Sequence, residues 1–449
     1  KLLAILLALV MVIGLLPFAA LADGSQDNQL DYIQGTDPDP VGDPGIDPGV
    51  DPDIQPDTDL NIDPDGEPDG NLVLQVPDTE PEHKNHGADG KGTITETWQA
   101  WDPTETRTIS RSGYYYLDED FESINQKITI DADDVHLCLN GHEMSDSGAN
   151  PGFITVKRDA SLTICDCSKG ETGGINYNCK NWYAYAIVNN GALTLYSGKI
   201  YSEVGNGIDI INKGGSNVKF DMEGGTIDVG GTGILFFSGD AVNINGGTLT
   251  YGGETGVTFG AKGTLTVSGG TIRPRENGAS ESQGISRNDA GALYVTDGNI
   301  SGKQYGIRFI NAGDGEVEIS GGNISASGEK GYGIYLNKSA KANLYLRDTP
   351  TISGQKAALY IGKPNAVYAS KNGRPYKGDN LTVAFTGNDT EAPIILDVND
   401  YNDGNFTLVF PEDKTLVRQD DNLVLGVEAP VYDHYHGVDG TDTDPQTWQ

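Results

Sequence analysis

The sequence predicts an all-β fold, a parallel β-helix in which short strands stack coil on coil along one axis. A glycine-containing phrase that ends in an aliphatic residue returns at intervals of 22 to 28 residues. Short runs with apolar residues at every second position precede this phrase, and a second phrase, Gly followed by Ile or Val, comes after it. Because each phrase keeps its place in every period, a solenoid is favoured over a β-sandwich, which requires no such repeat.

The first phrase marks the boundaries of the coils. It reads Gly-Gly-Thr-Ile or a close variant, and its last residues are Ile200, Ile227, Leu249, Ile272, Ile300, Ile324 and Ile352. The second phrase begins at Gly207, Gly233, Gly256, Gly284, Gly306 and Gly333. Glycine permits backbone angles that other residues resist, so each phrase ends one strand and starts another. Together they predict two or three short strands in each coil, with the β-helix spanning 136–362.

The two ends of a β-helix need covers, because an open coil edge can pair with other chains. Residues 83–135 contain Trp98, Trp101 and a run of three tyrosines, and they are predicted to form the unit start and the N-terminal cap. After Ile361 the first phrase disappears. Longer alternating runs separated by turn residues then predict a small C-terminal antiparallel β cap or β domain over 363–428.

The N-terminal 82 residues are predicted to lie outside the fold. Residues 1–22 have the apolar run and the Ala20-Leu21-Ala22 pattern of a secretory signal peptide. Residues 23–82 hold 18 acidic residues, no Lys or Arg and six Asp-Pro pairs, which predicts a disordered linker. Its alternating Asp residues resemble a calcium loop, but Leu72 occupies the position that needs Glu. Weak calcium binding by this linker is therefore the extent of the cofactor binding expected.

A second, longer repeat indicates a tandem array. Residues 86–99 recur as 436–449 at an offset of 350, with eight of fourteen positions identical. Residues 429–449 are therefore predicted to start a second unit, and the protein to be a monomer within a series of such units. The net charge of −35 argues against nucleic acid and against insertion into an anionic membrane after removal of the signal peptide.

Histidines cluster in this repeated segment, as His83, His86, His434 and His436. His83 aligns with Asp433, so the spacing of the histidine pair differs between the two copies. The segment contains no cysteine. No metal site is therefore predicted.

The four cysteines predict disulfides in a secreted chain. Cys138 and Cys165 are 27 residues apart, about one coil, and both have the parity of outward-facing residues. Stacked strands lie about 4.8 Å apart, which is within disulfide range. A cross-coil Cys138–Cys165 disulfide is predicted, with Cys167–Cys179 as the second pair. A zinc site formed by all four thiolates is the alternative.

Three stretches carry a resemblance to a known family. They are Gly113-Tyr114-Tyr115-Tyr116-Leu117, Leu137-Cys138-Leu139-Asn140-Gly141-His142 and Leu162-Thr163-Ile164-Cys165-Asp166-Cys167, all ahead of the Gly-Gly coils. They resemble large repetitive surface proteins of Gram-positive gut bacteria over about residues 83–355. The resemblance implies a right-handed, single-stranded, pectin-lyase-like β-helix with an adhesin-like role. It also implies an extracellular or cell-wall location.

One outward column of side chains is a candidate binding surface. It contains the residue two places after each second-phrase glycine, namely Leu235, Thr258, Ser286, Arg308, Tyr335 and Tyr360. Arg308, Tyr335 and Tyr360 combine planar hydrogen bonding with flat apolar rings, which suits a glycan. The structural alternative is ordinary stacking of side chains between neighbouring strands.

No catalytic residue is predicted. A polysaccharide lyase or glycoside hydrolase on the same fold is the alternative function, and it would need clustered carboxylates or a basic residue in one groove. The carboxylate pairs Asp133-Asp134 and Asp420-Asp421 lie near the two ends, and the arginines are candidates by type alone. The sequence therefore predicts a structural or adhesive module, with host or dietary glycans or host surface proteins as partners.

Overall fold

The computed structural model describes residue 83, residues 85–368 with short gaps, and short strands between 370 and 426. The gaps within 85–368 are 149–150, 180, 182, 211–217, 237–239, 261, 312, 314, 338 and 362–364. The predicted signal peptide, the acidic linker and the second unit start at 429–449 lie outside the described residues. No helix in the described part of the chain has the length and apolarity needed to cross a membrane.

The regular secondary structure of the described residues consists of β-strands. Those up to residue 210 are β1 (Gln99–Ala100), β2 (Thr108–Ile109), β3 (Gly113–Tyr116), β4 (Phe121–Ser123), β5 (Ile128–Ile130), β6 (Val135–Cys138), β7 (Glu143–Asp146), β8 (Gly152–Val156), β9 (Ser161–Cys165), β10 (Gly174–Tyr177), β11 (Tyr185–Asn189), β12 (Ala192–Leu195), β13 (Lys199–Ser202) and β14 (Asn206–Ile210). Those up to residue 361 are β15 (Lys219–Met222), β16 (Thr226–Val229), β17 (Ile234–Phe236), β18 (Ala241–Ile244), β19 (Thr248–Tyr251), β20 (Thr255–Phe259), β21 (Thr264–Pro274), β22 (Gln283–Arg287), β23 (Ala292–Gly302), β24 (Tyr305–Phe309), β25 (Val317–Ile319), β26 (Asn323–Ala326), β27 (Tyr332–Leu336), β28 (Asn343–Leu346), β29 (Thr351–Gly354) and β30 (Ala357–Ile361). The remainder are β31 (Ala366–Tyr368), β32 (Ser370–Lys371), β33 (Arg374–Pro375), β34 (Val383–Ala384), β35 (Ile394–Ile395), β36 (Leu408–Val409), β37 (Thr415–Gln419) and β38 (Asn422–Gly426).

Each complete coil contributes three strands, which pair in parallel with the matching strands of the next coil. The first column runs through β3, β6, β9, β12, β15, β18, β21, β23, β25, β28 and β31. The second runs through β4, β7, β10, β13, β16, β19, β21, β23, β26 and β29. The third is a separate sheet that contains β5, β8, β11, β14, β17, β20, β22, β24, β27 and β30. The predicted parallel β-helix is thereby confirmed as a parallel β-solenoid of about ten turns.

The solenoid core consists of apolar residues stacked in register. The aliphatic residues that end the first phrase form one buried ladder, Ile200, Ile227, Leu249, Ile272, Ile300, Ile324 and Ile352. Most second-column strands alternate buried and less buried positions, as in β16 and β19. This alternation is the period-2 pattern that the sequence displays. Burying each such side chain contributes about 1.5–3 kcal/mol.

Glycines occupy the positions at which adjacent coils approach each other most closely. Gly247, the second glycine of its phrase, has φ +75°, in the left-handed region that glycine adopts without a steric penalty. Gly256 has no such backbone requirement, but a Cβ there would lie 2.6 Å from the carbonyl oxygen of Gly284 in the next coil. The first phrase thus needs glycine for its turn, and the second phrase needs it for the spacing of the coils.

We expect Gly256→Ala to destabilise the chain by at least about 2 kcal/mol, because the added methyl group must displace backbone. Gly174→Ala in β10 is the matched control, since the nearest atom to its Cβ is a carbonyl oxygen at 3.4 Å. Thermal unfolding of both variants measures the difference. Equal melting temperatures for the two variants would contradict the close approach at Gly256.

The two ends of the solenoid are partly built from the same parallel pairing. Residues 99–135, within the segment predicted as cap, already supply strands β1 to β5, and Gln99 is paired with Tyr115. Beyond residue 363, β34 and β36 continue the parallel third column. Antiparallel pairing joins β32 to β33, and β38 to both β35 and β37. The described strands of the C-terminal region therefore combine both kinds of pairing.

Candidate functional site

Four tyrosines form a compact patch on the third strand column. Tyr335 and Tyr360 are paired in register with Arg308, as the sequence column predicts. Tyr305 and Tyr332 are likewise paired in register with each other, and each directly precedes the second-phrase glycine of its coil. We refer to these four tyrosines together with Arg308 as the tyrosine patch.

The rings of the tyrosine patch pack on one another. Tyr335 and Tyr360 stack with centroids 4.3 Å apart and an interplanar angle of 6°. Tyr305 lies 4.8 Å from the Tyr335 ring, and the Arg308 guanidinium lies 5.0 Å from the Tyr305 centroid. Offset stacking and a cation over an aromatic face each stabilise such a cluster by about 0.5–1.5 kcal/mol. These residues therefore stabilise the third column by stacking between neighbouring strands, which is the structural alternative predicted for them.

Burial limits the surface that the patch offers. Tyr305, Tyr332 and Tyr360 are 7–8% exposed, whereas Tyr335 and Arg308 are partly exposed. Burial raises the pKa of Tyr305, although the nearby Arg308 charge acts in the opposite direction. The phenol is therefore neutral at physiological pH. A ligand would meet ring edges, Tyr335 and the guanidinium rather than a row of fully open rings.

The other residues of the predicted outward column are paired in register but differ in their exposure to solvent. Leu235, Thr258 and Ser286 continue the column towards the N-terminus. Ser286 is buried, and its hydroxyl lies 2.9 Å from Asn288 Oδ1. Leu235 and Thr258 are partly exposed, but the aromatic and cationic side chains of the column all lie in its C-terminal coils.

A polar groove lies at the turns of the first phrase and was not predicted from the sequence. It encloses about 450 Å³ and is lined by Thr296, Asp297, Gly298, Asn299, Ser320, Gly321, Gly322, Asn323, Thr349 and Thr351. Asn299, Asn323 and Thr351 are paired in register across three coils. The sequence does contain a sign of this groove, because the residue just before the aliphatic end of the first phrase is polar in every coil from Lys199 to Thr351.

The side chains considered for catalysis mostly stabilise the fold. Asp133 accepts a hydrogen bond from Ser161, which lowers the pKa of its carboxyl group. Arg275 donates to Asp228 at 2.8 Å and also to two backbone carbonyls. Arg287 is fully buried and donates to the carbonyl of Gly291. Asp420 and Asp421 lie outside the described residues.

The segment 83–98, which precedes β1 and which we call the leader, brings two histidines against two cysteines of the solenoid. His83, His86, Cys138 and Cys167 each offer one ligand atom, and these four atoms lie within 4.8 Å of one another. The His83 and His86 Nε2 atoms are 3.2 Å apart, and the Cys138 and Cys167 Sγ atoms are 3.3 Å apart. We call these four residues the His–Cys cluster. Imidazole and thiolate are the ligands that zinc prefers.

An aromatic shell surrounds the His–Cys cluster. The Tyr116 ring stacks on His83 with centroids 4.2 Å apart, and the Trp98 ring lies 4.3 Å from His86. Trp98 also donates its indole N–H to the His86 carbonyl oxygen at 2.9 Å. Together with Cys165 and Tyr114, these rings form a small apolar core that is separate from the main one. The leader is therefore folded against the outside of the first coils.

The protonation of the cluster reflects these neighbours. Burial lowers the pKa of His86, but hydrogen bonds with Cys167 and with the Gly87 carbonyl raise it, and the net shift is upward. The pKa of Cys138 is raised by its hydrogen bond with Cys165 and by burial. The hydrogen bond with Cys138 and burial raise the pKa of Cys167. Without a cation, both thiols therefore stay protonated at neutral pH.

The cysteine predictions are borne out in register but not in bonding. Cys138 and Cys165 are direct partners in β6 and β9, and both lie outside the main core, as their parity indicates. All four cysteines are nevertheless free thiols, so the structure contains neither predicted disulfide. Cys138 Sγ instead contacts Cys167 Sγ at 3.3 Å, and Cys138 is buried whereas Cys167 is partly exposed. Cys179 lies in the main core, apart from its proposed partner Cys167.

No protein-family model, no curated protein and no solved structure matches this chain. The function is therefore inferred from the solenoid, the tyrosine patch and the His–Cys cluster.

Proposed function

We propose that this protein is a structural and adhesive β-solenoid module of an extracellular or cell-wall surface, and that its tyrosine patch contacts glycans. The family resemblance, with its right-handed pectin-lyase-like fold and Gram-positive gut origin, supports the location and the role. The solenoid supports the mechanical part, because stacked coils extend a chain and hold outward side chains at a regular spacing. A tandem array of such units would add multivalency to a weak contact.

The observation that carries the glycan proposal is the pairing of Arg308 with two stacked tyrosines in one register column. The apolar faces and edges of tyrosine suit the C–H surfaces of a sugar, and the phenol oxygen can hydrogen-bond a hydroxyl. The Arg308 guanidinium adds planar donors that suit an acidic sugar. Tyr335 and Arg308 are the members of the patch with the most exposed surface.

A glycan array tests this proposal. We expect the full chain to bind a subset of glycans, and Tyr335→Ala/Tyr360→Ala to weaken that binding by at least about fivefold, given about 0.5–1.5 kcal/mol for each of the two ring contacts. Thr258→Ala is the matched control. Thr258 lies in the same column, three coils from Tyr335, and its variant should bind as the wild type does.

Two results would contradict the glycan proposal: no binding by the wild type, or equal binding by the wild type and the double variant. Incubating the same glycans with the wild type also tests the alternative of a polysaccharide lyase or glycoside hydrolase. Reducing ends or unsaturated products would favour that alternative and would remove the purely structural role.

A further inference from the structure

We propose that His83, His86, Cys138 and Cys167 bind one structural Zn²⁺ ion that fastens the leader to the first coils of the solenoid. The four residues come from three separate parts of the chain. Two lie in the leader, one ends strand β6, and one follows strand β9 in the next coil. Zinc sites with two Cys and two His ligands are four-coordinate and closed, which suits a stabilising role.

The geometry of the cluster is close to that of a tetrahedral site. Zn–N and Zn–S bonds of about 2.0 and 2.3 Å place the ligand atoms of a tetrahedron about 3.3–3.8 Å apart. The two His Nε2 atoms are 3.2 Å apart, and the two Sγ atoms are 3.3 Å apart. One ligand atom from each of the four residues lies within 4.8 Å of the ligand atoms of the other three. Small rotamer changes are therefore sufficient to place one cation among the four atoms.

A hydrogen bond of His86 favours the tautomer that a metal needs. His86 Nδ1 lies 2.7 Å from the Gly87 carbonyl oxygen and can donate its proton there, which leaves Nε2 as the ligand atom. His83 Nδ1 is buried and has no hydrogen-bond partner among the described residues. A histidine pair with both Nε2 atoms facing each other at 3.2 Å is poorly satisfied unless a proton or a cation lies between them.

The surroundings favour a structural rather than a catalytic ion. Trp98 and Cys138 are nearly fully buried, and Tyr116 covers one face of His83. The four protein ligands would complete a tetrahedral coordination sphere and leave no open position for substrate, although His83 and Cys167 are partly exposed. The leader has few strand hydrogen bonds of its own, so metal binding would supply much of the free energy that orders it.

Metal titration of the full chain, purified under reducing and anaerobic conditions, tests the zinc proposal. We expect about one equivalent of Zn²⁺ per chain by elemental analysis, and a tetrahedral Co²⁺ spectrum with thiolate charge-transfer bands after substitution. Cys167→Ser and His83→Ala should each reduce the bound metal to less than about one fifth of the wild-type amount. Circular dichroism checks that the solenoid of each variant remains folded.

Cys165→Ser is the matched control, because Cys165 lies in the same small core but outside the His–Cys cluster. It should bind as much Zn²⁺ as the wild type. Absence of bound metal in the reduced wild type would overturn the proposal, as would equal loss of metal in Cys165→Ser and Cys167→Ser. A Cys138–Cys165 disulfide in the native chain, found by thiol titration and peptide mapping, would also overturn it, because Cys138 could not then act as a ligand.

Discussion

Replacing Phe259 with alanine is expected to destabilise the solenoid by about 3–5 kcal/mol, because the side chain is fully buried and its removal leaves a cavity. Phe259 stacks on Phe236 of the preceding coil with centroids 5.5 Å apart. On its other side it is paired in register with Arg287. The cavity would therefore remove contacts from three successive coils.

Thr258→Ala on the same strand is the control for the Phe259 variant. Thr258 belongs to the outward column, and its substitution should change stability by less than about 0.5 kcal/mol. Urea unfolding followed by both circular dichroism and tyrosine fluorescence measures the effect, since solenoids can unfold in stages. Similar midpoints for the two variants would show that Phe259 does not lie in the interior.

Replacing Arg287 with alanine is expected to have an effect of similar size, about 3–5 kcal/mol. Arg287 is fully buried within a ladder of Phe236, Phe259 and Phe309. Its guanidinium donates to the Gly291 carbonyl at 2.6 Å and, through Nη2, to the carbonyls of Gly313 and Gly315. Alanine would leave these acceptors without that donor and would also create a cavity.

Two further substitutions separate the contributions of Arg287. Arg287→Met fills most of the volume without donating, and Arg287→Lys keeps the charge without the planar fork. We expect both to be more stable than Arg287→Ala and less stable than the wild type, by thermal unfolding. If Arg287→Met is as stable as the wild type, the three hydrogen bonds contribute no net stability.

The architecture follows from local features that can be counted along the chain. The ladder from Ile200 to Ile352 is visible in the sequence because each coil buries the same position, and glycine marks each turn. The Arg308–Tyr335–Tyr360 register is visible for the same reason. Periodicity also places Arg287 in a phenylalanine column. It does not show which carbonyls of neighbouring loops can satisfy an interior charge.

The sites depend on contacts between distant segments, which periodicity does not report. Cys138 and Cys165 have outward parity, yet the sequence does not indicate that Trp98 of the leader buries them. The histidines lack a nearby cysteine in sequence, and folding supplies Cys138 and Cys167 from two successive coils. Tyr305 and Tyr332 precede the second-phrase glycines, but only their ring contacts reveal that they cover the predicted column.

Distances between spin labels test most directly whether the coils stack in parallel and in register. Thr351 is linked through successive pairings to Thr248, Thr226 and Lys199, which are four, five and six coils away. With nitroxide-bearing amino acids at Thr351 and at each partner in turn, we expect separations of about 19, 24 and 29 Å, a rise of about 4.8 Å per coil. Separations that do not increase with the number of intervening coils would contradict the solenoid on which every site described above depends.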